Sequence, residues 1–164
     1  MPDRPTGSDS AGFEVLTTAI LSLLNQYPGL NGKQILFQEL GETSGISFSA
    51  SEGALILSER KSITGRITQQ CQYPFCVVYR LADKSEMQQL QTQSFLDSLG
   101  KWLSKEPILI DGILYQLNDY PKLSDPRKIT QVTRSNSYGK TPNANGTQDW
   151  FLPVTVLYTN EQNL

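Results

Sequence analysis

The chain of 164 residues contains no histidine. That absence removes the commonest general base and the commonest metal ligand together. Ser-His-Asp and Cys-His arrangements are excluded with it. Cysteine is scarce too: Cys71 and Cys76 stand close together and have no companions. A zinc site wants about four ligands, so two thiols without histidine do not make one. They read as reduced thiols on or near a strand, with a local disulfide as the alternative. No apolar run approaches the roughly 20 residues that a membrane span needs, and no membrane partner is expected. The opening segment, MPDRPTGSDS, lacks the charged-then-apolar plan of a signal peptide, so the chain is expected to be cytosolic where it is made. An excess of one charge is also missing. Fourteen basic and sixteen acidic residues give a net charge of −2, with the signs interspersed. Duplex binding needs a basic stripe that neutralises phosphates, so direct nucleic-acid binding is not expected.

The motifs that are present carry little chemistry. Carboxylates are scattered singly, and Asp83 with Glu86 reads as a helix start of the capping-box kind rather than a catalytic pair. The tripeptide GKT at Gly139–Thr141 invites a phosphate-loop reading. That motif needs a glycine where Arg134 stands and a helix where Pro142 follows, so the reading fails twice. Asn145 opens a formal glycosylation triplet, NGT, which has little meaning without a secretion signal. No catalytic, cofactor-binding or metal-binding residue is assigned, no cofactor is expected, and the chain is not read as an enzyme.

What remains is the pattern of a single ordinary domain. A chain of this size buries roughly 70% of its unfolded surface and needs no metal or disulfide to stand. Residues 1–11 read as a polar N-terminal arm and residues 12–164 as one domain. Phe13, Leu16, Ile20, Leu23, Leu24 and Tyr27 recur at spacings of three and four, predicting an amphipathic helix from Gly12 to Gln26. Asp9 or Ser10 would cap it, and Pro28-Gly29 would stop it. KQILFQEL fits either a short strand or a turn of helix. From Gly41 the character turns to β: ISFSA, ALILSERKSI, GRITQQCQ and FCVVYRL, with a hairpin turn at Gly65. Pro74 predicts a bulge or a sheet edge, because it cannot donate to a ladder. RKITQVTR and DWFLPVTVLYT make a second candidate hairpin. In its last strand Trp150, Leu152, Val154, Val156 and Tyr158 share one face, opposite Phe151, Pro153, Thr155 and Leu157. Apolar residues on both faces predict cover on both sides, helix on one and a neighbouring subunit on the other.

Between the β blocks, SFLDSLGKWL places Phe95, Leu96, Leu99, Trp102 and Leu103 within an arc of about 120°. Met87 and Leu90 fall outside that arc, which predicts a kink or restart near QTQS. The face is read as the underside of a core helix, and Trp102 as a core residue rather than a ligand-binding aromatic. The structural core then comprises Phe95, Leu99, Trp102, Leu103, Val154 and Val156. The polar run from Ser135 to Gln148 is longer than a strand connection requires, and loops of that length are usually functional or disordered. It is read as an assembly element, with Tyr138, Lys140, Asn143 and Asn145 as candidate interface residues; a solvated insertion is the alternative.

The order of these elements resembles a known family. A helix, a β-hairpin ending in PFCVVYRLADKSE, a helix ending in FLDSLGKWLSK and a hairpin closing on FLPVTVLYTNE are similar to the minor structural proteins of long-tailed bacteriophages, of the tail terminator or tail-completion type. The resemblance covers roughly Ile46 to Glu161. It implies an α+β subunit, an antiparallel sheet packed by an N-terminal helix and a longer central helix. It also implies a homo-oligomeric ring, hexameric in the typical case, that caps the tail tube and meets the head–tail connector in the neck of the virion. Such a protein is made in the bacterial host cytoplasm and carries no catalytic site. Another head–tail connector role, or a non-viral bacterial interaction or adaptor domain, are the alternatives.

Overall fold

A computed structural model of the chain describes residues 7–82, 85–124 and 126–163. The expected start signal at Asp83 lies outside the described residues.

The first helix, α1 (Ser10–Leu24), begins where Asp9 caps it: the carboxylate accepts from the Gly12 amide at 3.0 Å. Glycine is required there, because a Cβ at residue 12 would lie 1.9 Å from Asp9 Oδ2. Leu16, Ile20, Leu23 and Leu24 form the buried stripe. Just past the helix, Asn25 grips Ile35 by both backbone groups. Its Oδ1 accepts from Ile35 N, and its Nδ2 donates to Ile35 O, each at 2.9 Å. Ile35 opens strand β2 (Ile35–Phe37), so KQILFQEL contributes a strand. It runs parallel to β3 (Gly45–Ala50). The described part of the expected polar arm, from Gly7 on, is tied to the domain. Gly7–Ser8 is a strand, β1, paired with β4 (Leu55–Lys61), and Asp9 is buried.

Two strands of 16 residues, β5 (Arg66–Leu81) and β10 (Gln148–Asn163), pair antiparallel along their whole length. They are the axis of the sheet. Shorter strands share each free edge: β3 and β4 on β5, β8 (Arg127–Arg134) and β9 (Tyr138–Gly139) on β10. The expectation of a bulge or edge strand at Pro74 needs correction, since β5 is central and unbroken there. In an antiparallel strand a residue's N–H and C=O point to the same side. Pro74 O accepts from Ser51 N, so its missing N–H faces the gap between β3 and β4. Pro153 faces the gap between β8 and β9 in the same way, its O accepting from Ser135 N. Each proline forgoes only the reciprocal bond to Ser51 or Ser135 at the end of a short neighbouring strand, and the β5–β10 ladder is untouched.

Both helices cover one face of this sheet, so the fold is α+β. The second, α2 (Glu86–Leu103), is continuous, with Ser85 as its N-cap. The predicted kink does not occur. Met87 and Leu90 are simply exposed, because at 100° per residue they fall on the side of α2 away from buried Leu96. Of the expected core, Leu99, Trp102, Leu103, Val154 and Val156 are buried, and Phe95 packs half-buried against them. Tyr27 joins the helices, edge-on to Phe95 and Trp102 with centroids 5.6 and 5.5 Å away. A small separate hairpin, β6 (Ile108–Ile110) and β7 (Ile113–Tyr115), follows α2. Its turn residues, Asp111 (φ 50°) and Gly112 (φ 78°), have the paired positive φ of the tight turns that match strand twist.

Candidate interaction surface

The alternation along β5 and β10 sorts their residues between two unlike faces. Tyr73, Phe75, Val77, Leu152, Val154, Val156 and Tyr158 point toward the helices and are buried. Their alternates make a second apolar face that no element among the described residues covers. Across the two strands Val78 lies beside Phe151, Cys76 beside Pro153, and Pro74 beside Thr155, all half-buried. Leu157 continues the row beside Gln72. Among the described residues no helix lies on this outer face.

The segment after β8 extends that face. Tyr138 is 47% exposed and stacks on Phe151, centroids 5.4 Å apart and planes 21° apart. Lys140 sets its Nζ 4.6 Å from the centre of the same ring. A cation over an aromatic face is attracted by the ring quadrupole, so this lysine has a defined place beside the apolar row. The other two candidates are used internally. Asn143 donates its side chain to Thr147 Oγ1, and Asn145 accepts from Thr147 N and donates to Glu42 O. The structure therefore brings Tyr138 and Lys140 together on one surface and assigns Asn143 and Asn145 to the loop's own scaffold. The loop is also less separable than its composition predicts. Ser137 is buried, and its N and Oγ both donate to Asp97 Oδ1 on α2.

A second apolar surface, the β6–β7 hairpin, escaped the sequence reading. Its signal is Asp111-Gly112 between apolar triplets, a strong short-range hairpin marker. Ile108 and Tyr115 pair on the side that packs on the core, whereas Leu109 and Leu114 pair on the opposite side, 70% and 68% exposed.

The fold also holds a buried ionic cluster, which reads as structure. Asp9 Oδ1 accepts from Gly12 N and from Arg127 Nη2 at 2.6 Å; Oδ2 accepts from Arg127 Nε at 2.9 Å and Tyr158 OH at 2.7 Å. Four donors fill the four lone-pair sites of a carboxylate, leaving none for a substrate. Burial alone would push the Asp9 pKa up. The bonds from Arg127, Tyr158 and Gly12 together outweigh burial and hold it below the ordinary 3.8. A depressed carboxylate pKa contributes stability that is present above the unfolded value and lost as pH falls through the folded one. Acid unfolding curves should therefore steepen below about pH 4. Asp9→Asn should flatten that limb while leaving the neutral-to-alkaline limb unchanged in shape. An unchanged acid limb in that variant would show that Asp9 is not held in this way.

The cysteines point to opposite faces of β5. Cys71 faces the core, where burial pushes its thiol up to about 11, and Cys76 faces outward. Five residues of strand separate their Cα atoms by roughly 17 Å, far beyond disulfide reach. Both are free thiols.

No protein-family model matches this chain, and no curated protein sequence matches it.

Proposed function

We propose that this protein is a structural ring component of a phage tail, of the tail terminator or tail-completion type, which caps the tail tube and joins it to the head-side connector. The observation that carries the reading is the outer sheet face, where Val78, Cys76, Phe151, Pro153 and Leu157 lie together only half-buried. Continuous apolar patches on an isolated subunit mark interaction sites, because water contact at such a face is removed when a partner covers it. The order of the elements and the resemblance of FLDSLGKWLSK and FLPVTVLYTNE to tail-completion proteins support the choice of partner, further copies of the same chain.

The test is the mass of the purified protein by light scattering across a concentration series, with negative-stain electron microscopy at the upper end. The expected result is a concentration-dependent step from monomer to a closed ring of uniform size, together with binding to tail tubes. A protein that stays monomeric to its solubility limit and ignores tubes would refute the proposal and favour an adaptor domain.

A further inference from the structure

Resting on that ring reading, we propose that the ring is closed by the β6–β7 hairpin of one copy seating on the outer sheet face of the next. The two surfaces lie on opposite sides of the sheet. Ile108 belongs to the core on the helix side of the sheet, and the hairpin is anchored there. The outer face is on the other side, so the sheet itself separates the two surfaces within one chain. They can meet only between copies.

Shape and charge fit the same pairing. The hairpin is a narrow ridge crowned by Leu109 and Leu114, which pair on the side away from the core and are exposed by 70% and 68%. The outer face offers an apolar row two strands wide along β5 and β10, flanked by Ser47 and Ser49 on β3 and by Gln131 and Thr133 on β8. Asp111 at the turn is the only charged residue between Ile108 and Tyr115. Lys140 stands beside Phe151 and forms no ion pair among the described residues. A negative tip and an apolar ridge thus meet an apolar field with a positive margin. Opposite charges at such a rim act mainly on register and choice of partner. Two side chains do not make a whole interface, which typically buries about 800 Å² per partner. They suit the anchoring cluster around which the remainder closes.

Because the two surfaces differ, the contact is heterologous. Each copy offers a hairpin to one neighbour and a face to the other, and such head-to-tail contacts generate rings when the rotation closes. An isologous contact, hairpin on hairpin, would stop at a dimer.

Two variants test this. Leu109→Ser with Leu114→Ser removes the ridge, and both side chains are exposed, so folding is preserved. Thr155→Lys places a charge in the middle of the outer face, where the long side chain can still reach water. Each variant alone should keep its melting temperature and stay monomeric at concentrations at least about tenfold above the wild-type assembly point. Mixed together they should form a one-to-one dimer and nothing larger, since one intact hairpin then meets one intact face. Wild-type rings from the hairpin variant would overturn this inference and leave the ring reading standing. A mixture that stays monomeric would overturn the head-to-tail contact. A monomeric wild type would remove both proposals together.

Discussion

Replacing Asp9 with alanine should destabilise the fold by about 3–5 kcal/mol, the cost of breaking a buried ion pair from one side. The side chains of Asp9 and Arg127 are only 6% and 11% exposed, and Tyr158, which donates to the same carboxylate, is fully buried. Removing the acceptor leaves a guanidinium and a hydroxyl without their partner and strips α1 of its cap. The cap alone is worth about 1 kcal/mol. Arg127→Met in the Asp9→Ala background should recover part of the loss, because a buried pair replaced by an apolar group of similar length is often tolerated. The pair Arg66 and Glu161 is the control. Its side chains are 55% and 41% exposed, and Glu161→Gln should cost less than about 1 kcal/mol. Urea titrations of the three variants measure all of this. If Asp9→Ala costs no more than Glu161→Gln, the cluster is solvated and the account of how the N-terminus is tied to β10 is wrong.

That cluster also shows what a single sequence hides. The stripe of α1, the alternation of β10 and the buried side of α2 are local repeats, and one-sided burial writes them directly into residue spacing. Asp9 and Tyr158 meet across 149 positions, and no local pattern announces such a contact. Hence residues 7–11 read as arm when they are anchored. Pro74 misled for a related reason: its missing donor matters only if that side of the strand is paired, and pairing is set by where β3 and β4 end. The two exposed residues of α2 predicted a kink because every apolar side chain was assigned to the buried face, whereas a continuous helix simply leaves Met87 and Leu90 on its solvent side. In the candidate surface Tyr138 and Lys140 were legible as an aromatic and a cation in a polar run. Their convergence on Phe151 was not, since it depends on the register of β9 against β10. The neighbouring polar side chains are committed to turns, a use that composition alone does not distinguish from interface contact.

The face of α2 that packs on the sheet leads to the second large effect. Trp102→Ala should lower stability by about 3–5 kcal/mol, the usual range for truncating a buried large aromatic. Trp102 is 5% exposed and meets Tyr27 edge-on, and Tyr27 meets Phe95 in the same manner. Such aromatic pairs add about 0.5–1.5 kcal/mol beyond the area they bury. The indole therefore connects the end of α1 to α2, and its loss opens a cavity at the junction of both helices rather than at one. Trp102→Phe should recover much of the loss, because the edge-on contact with Tyr27 survives and the cavity shrinks. Phe95→Ala should cost less than Trp102→Ala, since Phe95 is half-buried and the solvent can fill part of its space. The measurement is equilibrium unfolding, paired with the assembly assay on the same preparations. If the face were a binding groove, Trp102→Ala would melt like wild type and fail only in assembly. A core residue gives the opposite result: a lowered melting temperature, and assembly that returns once the protein is held well below it.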